Sequence, residues 1–121
     1  MQVAPADFTA FRDLNFAARW NDTSTDPNFV PDCNTLSDTY PYCWSVQVWN
    51  GNVACPTGVT VHVDMFDGKA GANGPKVGKD FGISLAKNIQ PYSTTRVLIF
   101  TDTTFPSGDA NAGINSIECA L

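Results

Sequence analysis

The chain has 121 residues, of which 43% are hydrophobic and only 16% are charged, with a formal net charge of -5. This length fits one domain, and the apolar fraction allows a hydrophobic core, which argues against global disorder. Seven Lys and Arg against twelve Asp and Glu disfavour a nucleic-acid partner, because phosphate binding needs clustered cations. No apolar run approaches the roughly 20 residues of a membrane-spanning helix.

The first third of the chain predicts one clear strand and a long polar segment. Residues 5–12 fit either a short strand or a turn of helix. Residues 14–20 alternate between apolar and polar side chains, which is typical of a half-buried strand. Residues 21–31 are rich in Asn, Asp, Ser and Pro, and they predict a loop, because these residues pair with the local backbone or fix its torsions.

Two further strands are predicted in the middle of the chain. Residues 43–49 and 58–66 each alternate between apolar and polar side chains. The second strand directs three valines and a methionine inward, and it directs His62 outward to solvent. Between the two strands stands Asn50-Gly51, a dipeptide typical of tight turns.

The next segment combines a predicted loop with another alternating stretch. Residues 67–78 are rich in glycine, which predicts a loop or a wide hairpin. Phe81, Ile83 and Leu85 then form an alternating set, which predicts a further strand.

The last part of the chain predicts two strands separated by a long loop at residues 102–113. Residues 96–101 are apolar on both faces, as in a strand buried on both sides, and residues 114–121 close the chain. The whole pattern gives six or seven strands and little helical periodicity. We therefore predict a single all-β domain over residues 1–121, an immunoglobulin-like antiparallel β-sandwich of about seven strands, with a small barrel as the alternative.

Four cysteines provide the main indication of compartment. They include no C-x-x-C pair, and the single histidine is not at zinc-finger spacing, so a zinc site is disfavoured. Two disulfides in an oxidising compartment fit better than four reduced, buried thiols, and they predict a secreted or extracytoplasmic protein. Of the three pairings we favour Cys33–Cys43, which closes a turn-rich segment, and Cys55–Cys119, which ties a mid-chain strand end to the last strand.

The second half of the chain carries the sequences SVQVWNGNV, VTVHVDMFDGK and NIQPYSTTRVLIF in this order. Residues 65–68 read apolar, aromatic, Asp, Gly, and residues 91–97 bring a Pro, small, Thr and Arg sequence to the start of the next strand. This order resembles the FxLYD-type extracytoplasmic β-sandwich modules over about half of the chain. The resemblance implies an accessory or adhesive module on a secreted or surface protein, with no catalytic residues to carry over.

Catalytic chemistry finds little support in the sequence. A Ser/His/Asp triad would have to use His62, which lies on the predicted solvent face of its strand. The chain contains no G-x-S-x-G or H-E-x-x-H sequence, and its single Glu is Glu118, on the last strand. We therefore predict that the protein is not an enzyme and needs no cofactor.

Calcium is the one metal for which the sequence offers candidate ligands, since hard cations take oxygen ligands from loops. The better candidate set lies in the loop before the third strand, with no lysine near it: Asp22, Asp26, Asp32 and Asp38. A second set flanks the glycine-rich loop, where three lysines would repel a cation: Asp64, Asp67, Asn73 and Asp80.

Aromatic residues cluster around Cys43 and suggest a ligand-binding surface. The candidates are Tyr40, Tyr42, Trp44 and Trp49. Trp44 and Trp49 stand five positions apart, so they point to opposite faces of a strand, and exposed aromatic rings can stack on sugars.

Three functional hypotheses follow from the sequence. The first is a non-enzymatic secreted or cell-surface module with a structural or protein-binding role. The alternatives are a carbohydrate-binding module that uses the four aromatic residues, and a small secreted inhibitor or effector that presents the loop between Cys33 and Cys43. The partner is a protein or a glycan, and sheet edges also allow self-association.

Overall fold

A computed structural model describes residues 8–10, 16–20 and 42–121, which form two antiparallel sheets. The seven strands are β1 (Thr9–Ala10), β2 (Phe16–Trp20), β3 (Tyr42–Asn50), β4 (Val59–Asp67), β5 (Lys76–Ile83), β6 (Ser93–Thr101) and β7 (Ala110–Cys119). A 3-10 turn at Gly71–Asn73 lies between β4 and β5. The predicted all-β sandwich of about seven strands is confirmed. Of the two alternatives that the sequence leaves open for residues 5–12, a short strand is present, as β1.

The strand order links the two sheets through crossovers. One sheet has the order β1-β2-β3-β6, and the other has the order β5-β4-β7. The chain therefore changes sheet three times, between β3 and β4, between β5 and β6, and between β6 and β7. Because β3 and β4 lie in different sheets, Asn50-Gly51 does not close a hairpin between them but begins a crossover. The buried Asn50 side chain donates hydrogen bonds to the carbonyl oxygens of Val53 and Gln90 and thereby fixes this crossover.

The core lies between the two sheets and is built mainly from β-branched side chains of the central strands. On β4 the inward residues are almost inaccessible to solvent, with 0–1% exposure: Val59, Val61, Val63 and Met65. On the facing sheet the fully buried residues are Val46, Val48, Val97 and Ile99. Burial of each such side chain contributes roughly 1.5–3 kcal/mol. The alternation predicted for β4 is confirmed, with His62 half-exposed on the outer face.

Two strands begin inside segments that the sequence predicts to be loops. β5 begins at Lys76, inside the predicted loop at 67–78, and β7 begins at Ala110, inside the predicted loop at 102–113. Both strands pair with the nine-residue strand β4. The backbone N–H and C=O groups of β4 continue the antiparallel pairing into these glycine-containing stretches. Pairing with a central strand thus outweighs the weak strand preference of glycine.

Near the end of β5, the large apolar side chains point away from the core, and the small residues between them point towards it. Phe81 and Ile83 are 53% and 45% exposed, whereas Gly82 and Ser84 are buried. A Cβ atom on Gly82 would stand 2.3 Å from the carbonyl oxygen of Leu98 on β6, so the closest approach of the two sheets at this side requires glycine. In this half of β5 the inward side therefore holds small residues, and Phe81 and Ile83 face solvent, whereas Val77 near the start of the strand packs against the core.

The predicted disulfide Cys55–Cys119 is present, with a Cα–Cα distance of 5.1 Å. It joins the crossover after β3 to the last residue of β7, and Cys55 also exchanges two backbone hydrogen bonds with Ile89. Cys43 is disulfide-bonded as well, and its predicted partner Cys33 lies outside the described residues. In the part of the chain that the structure describes, no helix has the length and hydropathy needed to cross a membrane.

Candidate functional site

Several residues predicted to bind a ligand lie outside the described part of the chain. These are the four calcium candidates Asp22, Asp26, Asp32 and Asp38, together with Tyr40. Tyr42 is the first residue of β3. The calcium hypothesis for the N-terminal loop therefore stays a prediction. Within residues 8–10, 16–20 and 42–121, no three His, Cys, Asp or Glu side chains come together in a way that could hold a metal ion.

The two predicted tryptophans occupy opposite faces of β3, and neither lies open on the surface. Trp44 packs against the core, and its ring meets that of Phe105 edge-on, with the ring centroids 6.3 Å apart. Trp49 lies on the outer face but is only 8% exposed, and its indole is tilted against Tyr92 at a centroid distance of 6.2 Å. Little of the Trp49 indole surface is therefore accessible for stacking on a sugar.

The acidic residues around the glycine-rich loop each have a separate partner. Asp67 accepts hydrogen bonds from the backbone N–H and the hydroxyl of Ser107. Asp80 accepts the backbone N–H of Phe81 at 2.9 Å. These carboxylates do not converge on one point, so the second candidate calcium set does not form a site.

An open apolar cleft lies between β5 and β6, and we name it the β5–β6 cleft. It has a volume of about 660 Å³ and is lined by Asp80, Phe81, Gly82, Ile83, Leu85, Leu98 and Phe100. Leu85, just after β5, is 84% exposed, more than either Phe81 or Ile83. Five of the seven lining residues are large and apolar, and the only charged one is Asp80.

The cleft exists because β5 and β6 pass each other at the edges of different sheets. Gly82 stands beside Leu98, and Gly78 stands beside Thr103, so the two chains run in opposite directions along the cleft. The strands do not belong to one hydrogen-bonded ladder. The outer faces of both sheets meet at this seam, and the apolar side chains of both faces form one continuous surface.

A smaller polar pocket of about 230 Å³ adjoins the cleft on the outer face of the three-stranded sheet. It is lined by His62, Val63, Asp64, Lys79, Asp80, Asn115 and Ser116, so that Asp80 borders both cavities. A β-bulge between His62 and Val63 shifts the register with β7 beside Asn115, whose side-chain amide donates to Asp64 at 3.0 Å. This hydrogen bond, followed by that from Lys76, lowers the pKa of Asp64 below its ordinary value of 3.8.

The histidine of the chain takes part in a cross-strand pair in this region. Nε2 of His62 lies 3.1 Å from Oε1 of Glu118 on β7, and the imidazole is tilted against the ring of Phe81. Among the described residues, no hydroxyl or thiol is hydrogen-bonded to His62. The geometry thus provides a hydrogen-bonded pair on the surface and not an activated nucleophile.

The β5–β6 cleft is not evident from the sequence. The alternating set at Phe81, Ile83 and Leu85 predicts a strand, but apolar alternation alone suggests a buried face. The available signal was the identity of the intervening residues, Gly82 and Ser84, which are small enough to face a closely packed strand.

No protein-family model, curated protein or solved structure matches this chain.

Proposed function

We propose that this chain is a non-enzymatic extracytoplasmic module that binds another protein through the β5–β6 cleft. One observation carries the proposal. Of the five large hydrophobic side chains that are exposed in the described part of the chain, three line this single cleft: Phe81, Ile83 and Leu85. Clustered exposed apolar side chains mark interaction surfaces more often than scattered ones do.

The extracytoplasmic part of the proposal rests on the cysteines. A disulfide between Cys55 and Cys119 closes a loop with a sequence separation of 64 residues. Disulfides of this kind form and persist in oxidising compartments and are rare where thiols are kept reduced. The disulfide is therefore compatible with a secreted or surface location.

The composition of the cleft favours a protein partner over a glycan. Sugars are bound by an aromatic face together with several hydrogen-bonding side chains, but Asp80 is the only side chain lining the cleft that can accept a hydrogen bond. Apolar side chains of a protein segment can fill such a cleft, because they bring no polar groups that would need hydrogen-bond partners there. Carbohydrate binding remains the competing proposal, and a glycan array tests it directly.

Selection from a random linear peptide library displayed on phage tests the proposal even though the partner is unidentified. We expect the wild-type protein to enrich apolar peptides that no longer bind the double variant Phe81→Ser/Leu85→Ser. Leu121→Ser is the matched control, because Leu121 is exposed but does not line the cleft. Circular dichroism of both variants checks that they fold.

Two results would overturn the proposal. One is enrichment of peptides that bind the double variant as well as they bind the wild type. The other is the absence of any enriched peptide, in which case glycan binding that survives in the double variant would favour a carbohydrate site elsewhere on the chain.

A further inference from the structure

We infer that the segment bound in the β5–β6 cleft is extended and apolar and carries a carboxylate at the end of the cleft near Leu85. This inference rests on the proposed function of the cleft and names the chemistry of its partner. It is carried by the distribution of charge along the two strands that form the cleft.

The end of the cleft near Leu85 carries a cation. On β6, Arg96 precedes Leu98 by two positions, so both side chains lie on the outer face of the strand. Arg96 is exposed, and its guanidinium forms no ion pair with the other described residues. Lys87, beyond the end of β5, instead donates to the backbone carbonyl of Thr57, at 3.4 Å. The charge of Arg96 is therefore not neutralised by an acidic side chain in the described part of the chain.

The opposite end of the cleft has a net negative charge. Lys79 precedes Phe81 by two positions on β5, and Asp102 follows Phe100 by two positions just after β6. Because the chains run in opposite directions along the cleft, this lysine and this aspartate stand at the same end, and Asp80 lines the cleft there as a second carboxylate. The cleft is therefore polarised, with its positive end at Arg96, although the chain as a whole has a net charge of -5.

The size of the cleft favours an extended segment over a second copy of the chain. The three exposed side chains offer on the order of 300 Å² of surface, whereas a stable interface buries about 800 Å² on each partner. The surface from Phe81 to Leu85 runs along the strand direction, where an extended segment would place alternate side chains into the cleft. A peptide strand fits this narrow surface, and its carboxylate can come from an acidic side chain or from a chain terminus.

The test uses the tightest peptide selected from the phage library, resynthesised with a fluorescent label and measured by fluorescence anisotropy. We expect its flank to contain Asp or Glu, and we expect replacement of that flank by Asn or Gln to weaken binding about fivefold at low salt. The difference should shrink at high salt, since exposed charges are screened. A version with an amide flank and a free C-terminal carboxylate distinguishes a terminal carboxylate from a side-chain carboxylate.

Variants of the protein complete the test. Arg96→Glu is expected to weaken the acidic peptide about tenfold and to favour a version with a lysine flank. Lys69→Glu makes the same change of net charge in the exposed loop after β4, away from the cleft, and should leave both Kd values unchanged.

The possible results separate this inference from the proposed function. Selected peptides could bind the wild type but not Phe81→Ser/Leu85→Ser and still show equal Kd values for acidic, neutral and basic flanks. That result would overturn the inferred carboxylate but not the proposed function. Absence of any peptide sensitive to the double variant would overturn the proposed function as well. A concentration-dependent dimer that Leu85→Ser abolishes, observed by analytical ultracentrifugation, would replace the peptide by a second copy.

Discussion

Strands β4 and β5 are neighbours in one sheet, and in both of them large apolar residues alternate with other residues. On β4 the large apolar residues are buried, whereas near the end of β5 the residues between them are buried. On β4 the large residues Val61 and Met65 are fully buried. On β5 the large residues Phe81 and Ile83 are about half exposed, and Gly82 is buried between them. The comparison shows that alternation predicts a strand, whereas the position of the strand in the sandwich decides which face is covered.

The largest difference between the two strands should appear in the stability of alanine variants. Met65→Ala removes a fully buried side chain and is expected to lower the free energy of unfolding by about 3 kcal/mol, through lost transfer energy and a residual cavity. Ile83→Ala should change it by less than about 0.5 kcal/mol. Urea denaturation of both variants measures the contrast, and equal losses would show that Ile83 is covered in solution.

A second variant tests why β5 is inverted. Gly82→Ala places a methyl group 2.3 Å from the Leu98 carbonyl oxygen, and we expect a loss of about 2 kcal/mol because the two strands must separate. Gly78→Ala is the matched control on the same strand. Its methyl group would meet only the Thr103 side chain, at 3.1 Å, and that side chain can rotate away. Equal losses from both variants would indicate that glycine is not specifically required at the contact with β6.

A smaller effect should follow from the polar contacts that β4 makes with both of its neighbours. The Asp64 carboxylate accepts hydrogen bonds from Asn115 on β7 and Lys76 on β5, and these lower its pKa below 3.8. The resulting stabilisation is complete well above pH 3.8 and is lost as the pH falls through the lower pKa of the folded state. It should be below about 1 kcal/mol, because the carboxylate is near the surface.

The measurement compares the wild type with Asp64→Asn by urea denaturation from pH 6 down to pH 2. We expect the difference in stability between the two proteins to disappear at the acidic end of this range. A difference that is constant with pH would show that the charge of Asp64 does not contribute.

The smallest effect on stability is expected for Leu85→Ser, because the Leu85 side chain is 84% exposed. Its free energy of unfolding should stay within about 0.5 kcal/mol of the wild type. The same variant should bind less 8-anilinonaphthalene-1-sulfonate, a dye that reports accessible apolar surface. Unchanged dye binding would show that the β5–β6 cleft is not the main apolar surface in solution.

The fold class and the central strands could be predicted from the sequence because their patterns are strong. The alternation in residues 58–66 defines β4, its buried face and the outward position of His62. The pairing of Cys55 with Cys119 could also be predicted, since it ties a mid-chain strand end to the last predicted strand. In each case a local pattern and the tertiary structure agree.

The β5–β6 cleft could not be predicted, because it depends on a contact between strands of different sheets. Nothing in residues 76–85 alone specifies that Leu98 will approach Gly82. The starts of β5 and β7 differ from the prediction for a related reason, since pairing with β4 and not local propensity determines them. The sequence also does not identify which side chains cover the tryptophans of β3. In the folded chain Trp49, a predicted ligand-binding residue, is buried.

The buried asparagine at the β3–β4 crossover has a consequence for the chemical ageing of the protein. An Asn followed by Gly is prone to deamidation, in which the following backbone nitrogen attacks the side-chain amide and ammonia leaves. Here the amide nitrogen of Asn50 is held by the carbonyl oxygens of Val53 and Gln90, and Asn50 itself is fully buried. Cyclisation to the succinimide therefore requires local opening of the crossover. We expect the appearance of aspartate and isoaspartate at position 50, formed when water hydrolyses the succinimide, to be slow and to follow the frequency of that opening.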